Sequence, residues 1–320
     1  MSQFPVRWAS STAARLRLRE LMAAENVVVL PGPFDATSAI LMARLGFEAF
    51  WGGGYLGSAT SLGVGDLALT TMTEQLRFCA SIVDATGLPV VADCDDGYGG
   101  VLQVARTVQA FERMGVAAMV FEDQAAPKHC AFYDEFPVRL LEKHEMVAKL
   151  KTALDVRFDS STMIWARSDA LAAGLGVAET LDRAHTYAEA GADAIFVPCG
   201  NLADLKEYAG GWGRPEPLVM SAVNFREMTL DEVKMMGFSA RLDPAAVILA
   251  ALYAVEEVMG EYRRTGSLAH AGARSKTFEE FAELLGTETA VELEGRYLAV
   301  AAPSRADTSE TAAGGTARSG

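Results

Sequence analysis

The stretch Pro89-Val90-Val91-Ala92-Asp93-Cys94-Asp95-Asp96-Gly97-Tyr98-Gly99-Gly100 decides the fold. Its first half is a short apolar run without polar alternation, the pattern of a strand buried on both faces of a parallel sheet covered by helices. Its second half puts three carboxylates within four positions where that strand ends, and then a glycine-rich turn. Asp93 and Asp95 stand two apart and project from one side of an extended chain, while Asp96-Gly97 opens the turn. Two carboxylates held together repel each other unless a proton or a cation lies between them. A hard divalent ion such as Mg²⁺, held by one or two carboxylates with waters and substrate oxygens, suits such a pair. An acidic turn that only caps the next helix, with Asp96 as the cap residue, accounts for the stretch equally well.

Outward from this point the same unit recurs. Apolar runs at 27–30, 49–51, 90–93, 117–121, 163–166, 194–197, 218–220 and 239–242 alternate with helical patterns at 36–46, 70–86, 100–115, 139–156, 176–190, 201–208 and 229–236. Eight strands each followed by a helix predict the α/β class and a closed (β/α)₈ TIM barrel, not an open doubly wound sheet. Gly46, Gly87, Gly115, Gly191 and Gly237 stand where helix C-caps belong. An amphipathic helix is expected over 10–24, with Leu16, Leu18, Leu21 and Met22 among arginines, a long apolar one over 244–262, and another over 278–285. The chain therefore divides into an N-terminal arm (1–9), a barrel catalytic domain (10–262), a C-terminal helical extension (263–302) and a disordered tail of Ala, Ser, Thr and Gly (303–320).

Bulk properties narrow the function. Half of the 320 residues are hydrophobic, enough for a large core, and the net charge of −14 argues against nucleic-acid or anionic-membrane binding. Cations for an anionic substrate must then be local. The four cysteines show no CxxC spacing, which fits reduced thiols in a cytoplasmic protein. Arg7, Arg15, Arg17 and Arg19 interrupt any N-terminal apolar run, so no signal peptide is expected, and no window is long enough to span a bilayer.

Polar residues gather at the C-terminal ends of the expected strands, the catalytic face of a barrel. Trp51-Gly52-Gly53-Gly54-Tyr55 follows the second strand, Glu122-Asp123-Gln124 and then Pro127-Lys128-His129-Cys130 the fourth, Arg167-Ser168-Asp169 the fifth and Arg241-Leu242-Asp243 the eighth. Solvated charge would spread over helix faces, so this convergence points to an acidic, metal-dependent site. Glu122 is either a ligand or a partner of Arg167. The fork of Arg167 suits two oxygens of a carboxylate or phosphonate. Cys130 lies in a polar loop beside Lys128 and His129, two cations that would lower its pKa and make it reactive. Cys79, Cys94 and Cys199 sit in apolar or strand contexts and read as packing. Gly52, Gly53 and Gly54 permit close backbone approach to a ligand, as they would permit a tight turn.

Asp93-Cys-Asp-Asp-Gly-Tyr-Gly99, then Phe121-Glu-Asp-Gln-x-x-Pro-Lys-His-Cys130, then Ala166-Arg-Ser-Asp-Ala170 together resemble the isocitrate lyase/phosphoenolpyruvate mutase superfamily, from about residue 15 to about 260. Cys130 in the loop after strand 4 makes the chain most similar to the 2-methylisocitrate lyase branch. The resemblance implies a barrel with its last helices swapped between subunits, in a homodimer or tetramer. It implies Mg²⁺ (Mn²⁺ as the alternative) at Asp93 and Asp95, with Asp66 and Glu122 in the outer shell. It also implies Arg167 on a substrate carboxylate, and Lys128 and Cys130 on a mobile gating loop.

The departures fall on the other half of the site. The loop reads Lys128-His129-Cys130-Ala131-Phe132 where the family form is Lys-Lys/Arg-Cys-Gly-His. Phe50-Trp51-Gly52-Gly53 replaces Tyr-x-Ser-Gly, strand 6 ends Phe196-Val197-Pro198-Cys199 without a glutamate, and strand 7 leads to Ser221-Ala222-Val223-Asn224. The metal half is kept while the half facing the distal part of the substrate is rewritten. The expected activity is a Mg²⁺-dependent carbon–carbon lyase on a small 2-hydroxy or 2-oxo di- or tricarboxylate, through an enolate-like intermediate. Cys130, Lys128, Arg167 and His129 are its expected catalytic residues, and Trp51, Gly52, Gly53, Asn224 and Arg241 join Arg167 as expected substrate contacts. The alternative is a phosphonate P–C bond enzyme of the phosphoenolpyruvate mutase or phosphonopyruvate hydrolase kind, and a third reading is an idle binding relative.

Overall fold

The computed structural model describes residues 11–133, 135–269 and 275–301; the arm expected over 1–9 and the tail expected over 303–320 lie outside them. Eight strands form one parallel sheet: β1 (Val28–Pro31), β2 (Phe50–Gly52), β3 (Val90–Asp93), β4 (Ala118–Glu122), β5 (Met163–Arg167), β6 (Ala194–Phe196), β7 (Leu218–Ser221) and β8 (Phe238–Asp243). Hydrogen bonding runs β1-β8-β7-β6-β5-β4-β3-β2, and β1 packs beside β2, which leaves a nearly closed (β/α)₈ barrel. The helices are α1 (Ser11–Ala23), α2 (Ala36–Arg44), α3 (Gly54–Leu62), α4 (Met72–Thr86), α5 (Val101–Met114), α6 (Lys143–Val156), α7 (Gly176–Glu189), α8 (Leu202–Gly211), α9 (Leu230–Met235) and α10 (Ala246–Thr265). Among the described residues no helix is long and apolar enough to cross a membrane.

Two helices were not foreseen. The glycine run at 52–54 reads as a turn, yet α3 begins at Gly54, immediately after β2. Thr71 and Glu74 then close a capping box that starts α4 two residues later than expected. The described residues 276–301 belong to a compact unit separate from the barrel. In it α11 (Phe278–Leu284) is followed, across Gly286 at φ +72°, by α12 (Thr287–Ala301), where a single helix was expected.

The core has two layers because each strand sends alternate side chains to opposite faces. Val91, Val120, Trp165, Phe196, Val219 and Leu242 fill the barrel, while Val90, Ala92, Met119 and Ile164 meet the surrounding helices. The amphipathic helix α1 closes the N-terminal mouth, with Leu18 and Met22 joining the inner layer. Its arginines tie down loops that enter the strands. Arg15 donates to the carbonyls of Glu112 and Val116 and pairs with Asp159 at 2.8 Å, and Arg19 reaches Ser160, Ser161 and Asp193. Leu18 is fully buried, so Leu18→Ala is expected to cost about 2–5 kcal/mol. A lower urea midpoint at unchanged slope is the readout.

Candidate active site

The alternation of β3 sets the acidic pair. Val91 points into the barrel, so Asp93 does too. Its Oδ2 accepts the Gly54 N–H at 3.2 Å and its Oδ1 the Asp95 N–H at 3.2 Å. Asp95 takes φ +48°, a left-handed turn that returns its carboxylate to the same place. A Cβ on Gly54 would lie 3.0 Å from Asp95 Oδ1 and 3.4 Å from Asp93 Oδ2. Glycine here lets the start of α3 close on both carboxylates. Asp96 takes the structural part of the motif instead: its Oδ1 accepts the Tyr98 N–H at 2.8 Å, and Lys149 Nζ donates to its carbonyl at 2.7 Å.

Lys128 enters from the β4–α6 loop. Its Nζ lies 2.5 Å from Asp66 Oδ1 and 2.7 Å from Asp95 Oδ1, and it is 3% exposed. Burial opposes its charge, but Asp95, Glu122, Asp66 and Asp93 outweigh burial and hold its pKa well above the ordinary value. Burial, with Asp93 and Asp66 adding to it against Lys128, pushes the Asp95 carboxyl up to about 7.

The same loop is clamped by Gln124, whose Oε1 accepts the His129 N–H at 3.0 Å and whose Nε2 donates to the His129 carbonyl at 2.8 Å. Next along the chain, the Cys130 N–H donates to the Asp66 carbonyl at 3.0 Å. Burial pushes the Cys130 thiol up to about 11, against smaller opposing effects that include Arg167 and Lys128. The expected activation by neighbouring cations is therefore overturned. Lys128 is spent on carboxylates and the imidazole of His129 stacks on Phe136 at 4.5 Å, so Cys130 is held as a protonated thiol.

Register places Glu122 of β4 beside Arg167 of β5, and both readings of Glu122 turn on that pairing. Arg167 NH1 lies 3.1 Å from Glu122 Oε2, while its Nε and NH2 grip Asp169 at 2.8 and 3.0 Å. The edge expected to hold a substrate carboxylate is thus taken by Asp169, and NH1, beside Glu122, is the nitrogen of the fork left without a hydrogen bond among the described residues. Asp123, which sequence reasoning left without a role, fixes this corner by accepting from Ser168, Tyr187, Arg183 and the Asp169 N–H.

These groups border a cavity of about 260 Å³ at the C-terminal mouth. Trp51, Asp66, Asp93, Cys130 and Arg167 line it as expected. Other expected contacts stand outside it. A Cβ at Gly52 would strike Cys79 Sγ and one at Gly53 the Trp51 ring, so both are packing glycines. His129 faces Phe136. Asn224 is exposed on a separate outer groove. Arg241 holds the β7–α9 loop by donating to the Met228 carbonyl, and pairs with Asp243. Tyr55, Phe132, Tyr133, Phe196, Arg226 and Leu249 line the cavity unforeseen. Of these, Tyr55 stands one residue beyond the glycine run, Phe132 and Phe196 fall in stretches that depart from the family pattern, and Tyr133, Arg226 and Leu249 had no local signal.

The donor set fits a hydrated divalent ion. Among the described residues no three His, Cys, Asp or Glu side chains close on one point, because Lys128 lies between Asp66 and Asp95. Yet among the described residues the ion pairs of Asp66, Asp95, Glu122 and Asp169 are with Lys128 and Arg167 alone, and Asp93 makes none. Glu122 Oε1 is buried without a hydrogen bond or an ion pair among the described residues, and Asp95 Oδ1 has Lys128 as its one cation. Mg²⁺ keeps several waters and needs only one or two carboxylates, so Asp93 and Asp95 suffice to hold it.

Comparison with known proteins identifies the family. The 2,3-dimethylmalate lyase of Eubacterium barkeri is 36% identical over 298 residues, covering 90% of this chain and 98% of that one. The 2-methylisocitrate lyase of Aeropyrum pernix is 34% identical, covering 85% of this chain and 87% of that one. A phosphonopyruvate hydrolase solved with oxalate and Mg²⁺ superposes with a TM-score of 0.83 at 28% identity, over 91% of this chain and 100% of that one. The family profile described as phosphoenolpyruvate phosphomutase matches residues 18–263, and the chain therefore belongs to that family, within the phosphoenolpyruvate mutase/isocitrate lyase superfamily of enzymes.

Proposed function

We propose that the protein is a Mg²⁺-dependent carbon–carbon lyase that splits a small, alkyl-substituted 2-hydroxy dicarboxylate into a 2-oxo acid and a carboxylic acid. The observation that carries this reading is the thiol of Cys130 lining a cavity acidic at one side and largely apolar elsewhere, with burial raising its pKa. Trp51, Phe132, Phe196, Val223, Leu242 and Leu249 offer that wall alkyl contacts and few hydrogen bonds. A tricarboxylate would leave polar groups unpaired against it.

Cleavage breaks the C2–C3 bond as the 2-hydroxyl loses its proton, and the electron pair goes to C3, where the adjoining carboxylate spreads it. Cys130 Sγ donates a proton to C3, and the proton given up by the 2-hydroxyl passes through water to the thiolate, so none is gained or lost overall. Arg167 orients the C1 carboxylate through NH1, the nitrogen of its fork that Asp169 does not hold. Phe132 and Tyr133, on the loop that carries Cys130, cover the cavity and exclude water. When bound at Asp93 and Asp95, with Asp66 and Glu122 outside them, Mg²⁺ supplies Lewis-acid stabilisation of the developing negative oxygen. Lys128 keeps Asp66 and Asp95 in place. The exposed apolar residues of α10, among them Leu252, Val255 and Met259, support association into a homo-oligomer.

The named relative suggests the first substrate to try. With Mg²⁺ and 2,3-dimethylmalate the protein is expected to release pyruvate, and with isocitrate to release no glyoxylate. No 2-oxo acid from any alkylated malate would end the lyase reading. Phosphonate chemistry is the second reading, favoured by the likeness to the phosphonopyruvate hydrolase fold; ³¹P NMR with phosphonopyruvate tests it.

A further inference from the structure

Two of the cations lining or bordering the cavity are already engaged: Arg167 by Asp169 and Glu122, and Lys128 by Asp66 and Asp95. Arg226 lines the same cavity, is exposed, and makes no ion pair among the described residues. It stands on the β7–α9 loop. In the order of the barrel β7 is four strands from β3, so Arg226 faces Asp93 and Asp95 across the mouth. Its backbone is held: the Phe225 N–H donates to the Ala222 carbonyl at 3.0 Å, the Met228 N–H to the Phe225 carbonyl at 3.1 Å, and buried Arg241 reaches the Met228 and Arg226 carbonyls. Arg226 also lines the outer groove together with Glu227 and Glu232, and no ion pair joins it to either among the described residues.

We propose that Arg226 holds the second carboxylate of the substrate and thereby selects dicarboxylates, a role that rests on the lyase reading above. A dianion entering an acidic mouth needs a cation without a partner at each end of its span. One end would be met by NH1 of Arg167, beside the carboxylates proposed to hold Mg²⁺. Across the apolar wall, Arg226 offers the other. Arg241, expected from its sequence position to touch substrate, becomes the residue that positions the loop carrying Arg226.

Calorimetric titration of the Mg²⁺-loaded enzyme with three ligands tests this. They are 2,3-dimethylmalate, 2-hydroxy-3-methylbutanoate (which lacks the second carboxylate) and oxalate. Arg226→Ala is expected to weaken the dicarboxylate about tenfold or more, with the other two within about twofold of wild type. KM is expected to rise at little-changed kcat, and Arg226→Lys to recover part of the loss. Unchanged dicarboxylate affinity overturns the assignment, as does equal weakening of all three ligands. A wild-type enzyme that binds the dicarboxylate without cleaving it sinks the lyase reading alone, because the affinities still report on Arg226.

Discussion

Replacing Cys130 by alanine is expected to lower turnover about 10²- to 10⁴-fold, the usual worth of a positioned general acid, and to leave Mg²⁺ affinity at the wild-type level. The separation follows from geometry. The Cys130 side chain lines the cavity, whereas its backbone N–H, which survives the substitution, makes the bond to the Asp66 carbonyl that sets the loop. Cys130→Ser is expected to fare little better. Its hydroxyl keeps the shape but is a much weaker acid than a thiol held near 11. The pairing of a lost proton donor with intact metal binding is the signature, read by steady-state turnover beside calorimetry. Near wild-type turnover in Cys130→Ser would place the acid elsewhere. The raised thiol pKa also predicts slow alkylation of Cys130 near neutral pH, because the thiolate is the reactive form.

The second large effect lies across the cavity. Asp93→Ala combined with Asp95→Ala is expected to abolish turnover and weaken Mg²⁺ binding by at least about 100-fold, without unfolding the barrel. Five carboxylates crowd this side of the mouth around Lys128 and Arg167, so removing two of them relieves repulsion, and the thermal midpoint is expected to hold or rise. Lys128 keeps Asp66 as partner at 2.5 Å, so its charge is not stranded. Activity that survives the double substitution, or calorimetry showing that neither Mg²⁺ nor Mn²⁺ binds the parent, would falsify the metal half of the proposal. Chelation by EDTA, reversed by added Mg²⁺, gives an independent check on unmutated protein.

Much of this architecture is legible in the chain. The eight apolar runs identify the strands to within a few residues, because parallel strands covered on both faces need apolar side chains in both directions. Asp93, Asp95, Lys128, Cys130 and Arg167 are recognisable because carboxylates, cations and a thiol at strand ends have few other reasons to cluster. The helix α3 was hidden since its first residue, Gly54, is a poor helix former kept for the room it leaves beside Asp93 and Asp95. His129, Asn224 and Arg241 are polar residues near the right strand ends, and side-chain direction, absent from the sequence, sends all three away from the cavity.

The sequence by itself determined the barrel, the acidic pair and the thiol, since these follow from local hydrophobic pattern and from residue type. The tertiary structure alone decided which charges remain available. Lys128 is neutralised by Asp66, 62 positions away in the chain, Arg167 surrenders one edge to Asp169, and Arg226 is left without a partner among the described residues. Ion pairing and burial depend on distances between side chains that the barrel brings together from remote segments, and such distances have no local pattern to read.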